Sequence, residues 1–497
     1  MAQTPFRKVL VANRGEIALR VMRTCRDLGI ATATVYSDID RASPHVRAAD
    51  EAYPIGQAPA ASSYLQMERI VAVAKRAGCD AIHPGYGFLS ENADFADAVA
   101  AAGIAFVGPP GAVQRALGEK TSARRLAAAA GVPVAEGTMQ PLRDLAEARA
   151  TAERIGYPVL LKPAGGGGGK GMRIVRAAGE LAAAWQASTG EATTAFGAPA
   201  LLMERLIEHA RHVEVQLLAD AFGQVVWLGE RDCSIQRRHQ KLIEETPGPG
   251  VDDALRAKLG AAAVRVASAA RYVNAGTAEF LVASDGSFVF LEMNTRLQVE
   301  HPVTELVTGL DLVALQLRIA AGQPLPFGQD GITRTGAAIE LRITSEDPFA
   351  GFLPQGGRVG FVREPSGPGI RMDSGLADGL TVPTEYDPLL AKLIAWGPDR
   401  LAAIARARRA VRETIVAGVP TSLPFHSFVL AEPDFGSGRY DTDYVATHWT
   451  TPRAPEISES AAAAVALAGI ARLRRQPRPV AIAPSPWARE AREDMLR

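Results

Sequence analysis

The most prominent chemical feature of the sequence is a run of five glycines, Gly165–Gly169, which is bracketed by Lys162 and Lys170. Both flanks are apolar and strand-like, so the run is predicted to join two strands. A Walker A loop instead joins a strand to a helix, and it needs Ser or Thr where Gly171 stands. Backbone N–H groups of a glycine loop can bind phosphate. The pattern therefore predicts a lid over nucleotide phosphates, with a plain glycine linker as the alternative.

A second feature is a predicted β-hairpin that carries two facing carboxylates. Asp285-Gly286 lies between apolar, strand-like segments, which is a strong signal for a two-residue turn. Counting outward from that turn sets Glu279 opposite Glu292. Like charges directly opposite each other destabilise a sheet, whereas Mg²⁺ is bound by such carboxylates beside substrate phosphates. We therefore predict a metal site here, with a solvated pair as the alternative.

The chain that follows repeats polar side chains at every second position, at Glu292, Asn294, Arg296, Gln298 and Glu300. In a strand this spacing puts all of them on one face. An exposed amphipathic strand gives the same pattern, but the facing Glu279 favours a metal site followed by an anion site with a nearby base. Pro302 is expected to end the regularity, so that the later members lie on a loop.

Lysine is rare in this chain. Of the 54 basic residues, eight are lysines and the other 46 are arginines. A lysine is a compact point charge on a flexible stem, so each one is a candidate for a role that a guanidinium cannot fill. Lys241 is the one we single out, because it ends a donor-rich run, 230–241, that is otherwise typical of a solvated face.

Positioning these groups requires a folded frame, and residues 6–118 alternate strand-like and helical segments. The segments are Val9–Ala12, Thr32–Tyr36 and Ala81–His83 as strands, and Glu16–Leu28, Ser63–Ala77 and Ala93–Ala102 as helices. This alternation predicts an open parallel sheet. The segment 85–92 lies where a strand end meets a helix start, a common place for ligand loops, with a plain turn and a helix cap at Ser90 or Asn92 as the alternative. Residues 336–447 are predicted to hold short strands and one helix, Asp399–Val416.

The composition restricts the classes of protein to which the chain can belong. Hydrophobic residues make up 47%, charged residues 22%, the formal net charge is zero and the pI is about 7.1. These values are typical of a globular protein and do not suggest a nucleic-acid or membrane partner. Cys25, Cys79 and Cys233 are far apart and fit neither a metal site nor a disulfide framework. We expect a cytoplasmic protein with several domains.

Four stretches together resemble the biotin carboxylase component of biotin-dependent carboxylases of the acetyl-CoA and propionyl-CoA type, in the ATP-grasp superfamily. They are residues 12–18, 83–92, 230–241 and 292–302, and the resemblance extends over roughly residues 6–447. It implies an α/β fold whose parts are a Rossmann-like domain at 1–118, an ATP-grasp domain at 119–335 with a mobile glycine-rich lid at about 136–207, a C-terminal biotin carboxylase domain at 336–447, and a tail or partner-docking segment at 448–497.

Carried over position by position, the resemblance also implies the site residues. The residues implied around ATP are Lys120, Lys162, Gly168, Gly169, Glu204, Ile207, His212, Gln236 and His239. Mg²⁺ or Mn²⁺ would be bound by Glu279, Glu292 and Asn294, in agreement with the hairpin count. Bicarbonate would be bound by Lys241, Arg296 and the Val299 backbone, with Glu300 as the base and Arg342 facing biotin.

The implied activity is that of an ATP-dependent, C–N bond-forming ligase that carboxylates biotin through carboxyphosphate. Fused members of the family carry their biotinyl lysine in an Ala-Met-Lys-Met or Val-Met-Lys-Met setting, whereas the last lysine here is Lys392 in a strand-like segment. We therefore expect a biotin carboxyl carrier protein in trans, and the resemblance also implies a separate carboxyltransferase and a homodimer. The alternatives are another ATP-grasp ligase, such as a carbamoyl-phosphate or amino-acid ligase, and a non-catalytic nucleotide-binding scaffold protein.

Overall fold

The computed structural model describes residues 4–164, 171–196 and 200–450 of the chain. Its first strands are β1 Lys8–Val11, β2 Ala31–Ser37, β3 Glu51–Gly56, β4 Ala81–His83 and β5 Ala105–Phe106. Its first helices are α1 Gly15–Asp27, α2 Pro44–Ala48, α3 Met67–Arg76, α4 Ala93–Ala101 and α5 Gly111–Gly118. The strands form one parallel sheet in the order β3-β2-β1-β4-β5. The predicted open parallel sheet is therefore confirmed.

Burial explains which strands the sequence pattern reveals. β1 is central, and Val9, Leu10 and Val11 are fully buried, as expected for a strand with both faces covered. The sequence pattern did not reveal β3, which contains Pro54. Proline lacks an N–H group and is tolerated in strands at a sheet edge, which is where β3 lies.

A small three-stranded sheet follows, with its own apolar core. Helix α6 Lys120–Ala129 comes first in the chain and packs against the strand Phe288–Asn294 and the helix Asp253–Ala269, which are described below with the large sheet. The small sheet itself has α7 Leu145–Ile155, β6 Val159–Pro163, β7 Arg173–Val175, α8 Leu181–Phe196 and β8 Leu201–Arg205. The strand order is β7-β6-β8, with antiparallel pairing. Because β6 pairs directly with β7, the glycine run does join two strands, as predicted. Gly168 and Gly169 themselves lie outside the described residues.

The rest of the described chain is built on a large antiparallel sheet. The strands are β9 Arg211–Ala219, β10 Val225–Arg237, β11 Gln240–Thr246, β12 Asn274–Val282, β13 Phe288–Asn294, β14 Ala337–Thr344, β15 Glu346–Asp347, β16 Leu353–Pro354, β17 Gly357–Arg358, β18 Phe361–Arg363, β19 Ile370–Ser374, β20 Thr381–Val382, β21 Leu389–Gly397 and β22 Ile415–Ala417. The helices are α9 Asp253–Ala269, α10 His301–Thr308, α11 Leu312–Ala320, α12 Arg400–Glu413, α13 Leu423–Ala431, α14 Pro433–Gly436 and α15 Tyr444–His448. Eight strands share one sheet in the order β13-β12-β9-β10-β11-β14-β21-β19.

This sheet runs across the predicted boundary at residue 335, because β11 pairs with β14. Four helices, α12 to α15, stand where the sequence predicted one. The extra three have 9, 4 and 5 residues, too few to show a clear helical periodicity in the sequence. Among the residues that the structure describes, no helix is both long enough and apolar enough to cross a bilayer.

The hairpin of β12 and β13 turns differently from the sequence prediction. Its loop holds three residues, because the Gly286 N–H donates to the Ala283 carbonyl at 3.0 Å and the Ala283 N–H donates to the Ser287 carbonyl at 2.8 Å. Gly286 has a φ of +80°, as expected for the glycine that follows the turn in such loops. The register then shifts beside Glu279. The two deviations cancel, so Glu279 still lies opposite Glu292 as predicted.

Candidate active site

The centre of the candidate site is a group of charges that we name the Lys241 cluster, made up of Lys241, Glu214, Glu279, Glu300 and Arg342. The Lys241 ammonium donates to Glu279 at 3.0 Å and to Glu300 at 2.7 Å, and it also pairs with Glu214. The Arg342 guanidinium donates to the second oxygen of Glu300 at 2.8 Å. Three carboxylates therefore surround one ammonium, and a guanidinium lies on the other side of Glu300.

The sheet topology explains why residues so far apart in sequence meet. Glu214 on β9 lies directly opposite Glu279 on β12, and Lys241 on β11 is two strands from β9. Glu300 is contributed by the segment between β13 and α10, and α10 packs over β10, β11 and β14. Arg342 stands on β14, the next strand after β11. The cluster is thus held between the sheet and the N-terminal end of one helix.

The charges of the cluster set the protonation state of its members. Burial opposes ionisation of Glu300, but Lys241, Arg342 and Arg231 hold its pKa well below the usual range. Burial also opposes the charge of Lys241, yet the surrounding carboxylates raise its pKa well above the usual range. Glu300 is therefore an ionised, fully buried carboxylate beside two cations. It is unprotonated, as a proton acceptor must be before it acts.

Arg231 is a further buried cation that supports the cluster. Its side chain has no solvent exposure, and its guanidinium donates to Glu214 at 2.5 Å and to Thr304 on α10 at 2.9 Å. The charge density of the run 230–241 predicts that most of its members lie on a solvated face. For Arg231 that prediction is wrong, because β10 is an interior strand of the sheet.

Arg296 lies on the loop that follows β13, as the sequence predicted for the later polar residues of this stretch. Its guanidinium donates to Glu91 at 2.9 Å, to Asn294 at 2.8 Å and to Gln298 at 2.6 Å. Glu91 also accepts the Thr295 N–H at 2.9 Å. The loop that follows β4 therefore orients Arg296. The segment 85–92 also contains a helix cap, because the side chain of Asn92 accepts the Phe95 N–H.

The donor set of the predicted metal site suits a hard cation. Glu279, Glu292 and Asn294 offer carboxylate and amide oxygens, which Mg²⁺ prefers. In the structure the oxygens of Glu279 accept hydrogen bonds from His212 at 2.9 Å, Lys241 at 3.0 Å and Asn294 at 3.0 Å. Burial opposes its ionisation, but Lys241 and His212 hold the pKa of Glu279 far below its usual range. The carboxylate of Glu279 is thus ionised, as a ligand of a divalent cation must be, and in this structure its charge is balanced by His212 and Lys241.

The predicted nucleotide residues form a second group beside the facing carboxylates Glu279 and Glu292. Lys162 on β6 and Glu204 on β8 form a buried ion pair, and Arg124 on α6 contacts the same carboxylate. Burial lowers the pKa of Lys162, and the nearby Arg124 and Lys120 lower it further, whereas Glu204 raises it. The ammonium of Lys120 lies 3.4 Å from Glu292. This group therefore extends from the small sheet to Glu292. Its three cations outnumber its two carboxylates, and this excess of positive charge suits the binding of nucleotide phosphates.

The other predicted residues lie around these two groups. Gln236 on β10 is paired in register with Lys241, and His239 lies on the exposed turn between β10 and β11. Burial lowers the pKa of His239, and so do the positive charges of His212 and Lys120. Ile207 is half-buried between β8 and β9, and the Val299 carbonyl accepts from Lys392 at 2.8 Å.

Sequence reasoning missed several partners of the site, notably Glu214, Arg231, Glu244 and Glu91. A signal existed for Glu214, because His212, Glu214 and Gln216 alternate with valines, which is the spacing of one strand face. Glu244 accepts from Arg342 at 2.5 Å, and burial raises its pKa to about 7. The predicted ligand loop 85–92 contains Glu91, but no local pattern singles out the carboxylate of Glu91 or of Glu244, since their roles depend on contacts between distant segments.

Comparison with known proteins identifies the family. Residues 5–113 match the biotin carboxylase N-terminal domain, residues 119–327 the carbamoyl-phosphate synthase L chain ATP binding domain, and residues 340–447 the biotin carboxylase C-terminal domain. Biotin carboxylase from Nostoc sp. is 49% identical over 440 residues, covering 88% of this chain and 98% of that protein. The chain belongs to the biotin carboxylase family. A pyruvate carboxylase subunit from Methanothermobacter thermautotrophicus, a second relative, is also 49% identical over 440 residues, covering 88% of this chain and 89% of its own length.

Solved biotin carboxylase structures agree with this assignment. The biotin carboxylase domain dimer of Hydrogenobacter thermophilus 2-oxoglutarate carboxylase, in complex with MgADP, ADP and bicarbonate, is 45% identical with a TM-score of 0.88. The match covers 91% of this chain and 99% of that one. Biotin carboxylase from Campylobacter jejuni is 43% identical with a TM-score of 0.86, covering 89% and 99%. The predicted ATP-grasp, biotin carboxylase fold is confirmed.

Proposed function

We propose that this chain is the biotin carboxylase of a biotin-dependent carboxylase, which uses ATP and bicarbonate to carboxylate biotin on a separate carrier protein. The observation that carries the proposal is the position of Glu300. An ionised carboxylate lies between Lys241 and Arg342, at 2.7 and 2.8 Å, in the interior of a family-typical fold. On the Lys241 side, the arrangement suits the activation of bicarbonate. On the Arg342 side, it suits the stabilisation of the negatively charged ureido oxygen of biotin.

The chemistry follows from the charges that surround Glu300. Lys241, Arg296 and the Val299 backbone bind bicarbonate, and Glu300 removes its proton. The bicarbonate oxygen attacks the γ-phosphorus of ATP, so that ADP leaves and carboxyphosphate forms. Two anions must approach each other in this step, and fixed cations lower the resulting repulsion. That requirement matches the surplus of positive charge around Lys120, Lys162 and Lys241.

The second half of the reaction is assigned to Arg342. Carboxyphosphate breaks down to CO₂ and phosphate, and phosphate removes the N1′ proton of biotin before N1′ attacks CO₂. The ureido oxygen of biotin becomes negative in this step, and a planar guanidinium suits such an oxygen. Glu279, Glu292 and Asn294 would hold Mg²⁺ or Mn²⁺, which supplies charge neutralisation for the nucleotide phosphates when bound.

The partners of the chain are part of the same proposal. The Methanothermobacter pyruvate carboxylase relative and the alpha chain of mouse methylcrotonoyl-CoA carboxylase are both carboxylase subunits, and one solved relative is a dimer. We propose a biotin carboxyl carrier protein, a separate carboxyltransferase and a second copy of this chain as partners. Lys392 is fully buried in β21 and is therefore unsuited to carry biotin itself. The buried and unpaired cysteines agree with a cytoplasmic location.

The experiment that tests the proposal is an ADP-release assay with and without bicarbonate and biotin. We expect ADP release to depend on bicarbonate and to rise when biotin or a biotinylated carrier is added. Bicarbonate-dependent release that ignores biotin would favour another ATP-grasp ligase, such as a carbamoyl-phosphate ligase. Nucleotide binding without any turnover would favour a scaffold protein.

A further inference from the structure

Lys392 is a buried charge that the proposed mechanism does not use. It lies on β21, opposite Arg342 on β14, and its side chain has no solvent exposure. Its ammonium donates to the Val299 carbonyl at 2.8 Å, and it lies 3.2 Å from Glu16 and 3.8 Å from Asp373. A buried ammonium is costly unless it is paired and hydrogen-bonded. The shortest of its three contacts is made to a backbone carbonyl in the candidate site.

The contact falls on the peptide unit that joins Val299 to Glu300. This peptide precedes α10, and the backbone hydrogen bonds at the start of α10 are long. The His301 N–H donates to the Gln298 carbonyl at 3.4 Å, and the Val303 N–H donates to the Glu300 carbonyl at 3.3 Å. The Val299 carbonyl, in contrast, accepts a hydrogen bond from the side chain of Lys392 on β21. The peptide that leads into Glu300 is therefore held by an ammonium that does not itself contact the Glu300 carboxylate.

The same ammonium connects this peptide to the N-terminal sheet. Glu16 stands in the first turn of α1, and it also accepts a hydrogen bond from the hydroxyl group of Tyr86. Tyr86 lies on the loop that carries Glu91, the residue that orients Arg296. Lys392 thus joins the Val299–Glu300 peptide to Glu16 on α1 and to Asp373 on β19. A compact point donor suits three acceptors that come from different directions, whereas a planar guanidinium would not.

We propose that Lys392 is a positioning residue that holds the Val299–Glu300 peptide in place for bicarbonate activation. This inference rests on the proposed function. Replacing a purely structural residue would lower the stability of the protein and change the kinetic constants for bicarbonate and ATP to the same extent. Lys392 is instead expected to act on bicarbonate alone, because its contacts reach the Val299–Glu300 peptide and not the nucleotide group around Lys162.

The test compares Lys392→Met with Arg371→Met. Arg371 is the matched control, because it is a cation of the same buried network, pairing with Asp373 at 2.8 Å and Glu305 at 2.7 Å. Bicarbonate-dependent ADP release is measured well below each variant's melting temperature. For Lys392→Met we expect kcat/KM for bicarbonate to fall by about 10- to 100-fold, the cost of a small misplacement of a reacting group, while KM for ATP stays within about twofold. Arg371→Met should lower the melting temperature and leave both KM values unchanged.

Equal changes in the two KM values of Lys392→Met, or no change in either, would overturn the inference. The same holds if Arg371→Met gives the same bicarbonate-specific loss. If Lys392→Met does not fold, Lys392→Gln is the second variant, since its shorter, uncharged side chain cannot reach Val299 in the same way. Failure of both to fold would make Lys392 a folding determinant and reject the positioning role. Absence of bicarbonate-dependent turnover in the wild-type chain would instead reject the proposed function.

Discussion

Replacing Arg342 with alanine separates the two half-reactions of the proposed mechanism. The guanidinium donates to Glu244 at 2.5 Å and to Glu300 at 2.8 Å, and the side chain is 16% exposed. Since it is assigned to biotin, its loss should abolish carboxybiotin formation and leave part of the bicarbonate-dependent ATP cleavage. The contact with Glu300 adds a pH effect. Arg342 helps to hold the pKa of Glu300 low, so its removal raises that pKa and moves the acid limb of ATP cleavage to higher pH.

The size of each effect follows from the contacts that are lost. Loss of a donor to a developing oxyanion typically costs about 100- to 1000-fold in rate, or about 3–4 kcal/mol, which is the loss expected for carboxybiotin formation. ATP cleavage above the new pKa of Glu300 should fall by less than about tenfold, since Lys241 still contacts the carboxylate. Breaking a buried ion pair costs about 3–5 kcal/mol of stability. Glu244 lowers that cost, because burial already raises its pKa to about 7 and it can become neutral.

The assay follows ADP and carboxybiotin in parallel from about pH 4 to 9, because the acid limb of a carboxylate base with a lowered pKa lies at the acid end of that range. Arg400→Ala is the matched control. Arg400 pairs with Glu245 at 2.5 Å and is 18% exposed. Glu245 follows Glu244 on β11, so the Arg400–Glu245 pair lies on the opposite face of the sheet from the Arg342–Glu244 pair. It should lose similar stability and keep the wild-type ratio of the two products. Equal loss of ADP and carboxybiotin in Arg342→Ala at every pH would refute the division of roles.

Four further outcomes are expected. Glu292→Gln should weaken the Mg²⁺ dependence and slow turnover by orders of magnitude, and Mg²⁺ titration curves that overlay the wild type would exclude a metal site there. Glu300→Gln should suppress both ADP release and carboxybiotin formation while nucleotide binding persists, so continued bicarbonate-dependent ADP release would remove its role as base. Glu91→Gln removes the negative charge that Arg296 contacts at 2.9 Å and should raise KM for bicarbonate several-fold, and an unchanged KM would show that Arg296 needs no such support. The chain should stay unlabelled on a streptavidin blot after co-expression with a biotin ligase, whereas a labelled band would contradict a carrier in trans.

The sequence predicts those parts of the site that depend on local spacing. Counting along one hairpin places Glu279 opposite Glu292, and the polar alternation after Glu292 predicts that Arg296 and Glu300 lie close by. The count is right even though the predicted turn is wrong. A three-residue loop and a register shift compensate for each other, which no rule of turn preference could have anticipated.

The parts that depend on tertiary structure could not be read from the sequence. The pairing of β11 with β14 brings Arg342 beside Glu300, although 42 residues separate them in the chain. Charge-dense runs are usually solvated, so the burial of Arg231 becomes apparent only when β10 is known to be interior. Lys392 stands out in the sequence only as the last lysine, because its contact with Val299 crosses 93 residues.

The central claim is that ATP cleavage in this site is coupled to the carboxylation of biotin on another protein. The most direct measurement incubates the chain with ATP, Mg²⁺, labelled bicarbonate and a purified biotinylated carrier, and counts ADP and carrier-bound label in the same sample. We predict that, in the wild type, the label on the carrier equals the ADP formed beyond that released without carrier, and that Glu300→Gln gives neither product. Stoichiometric ADP without label on the carrier, or label that does not depend on ATP, would contradict the claim.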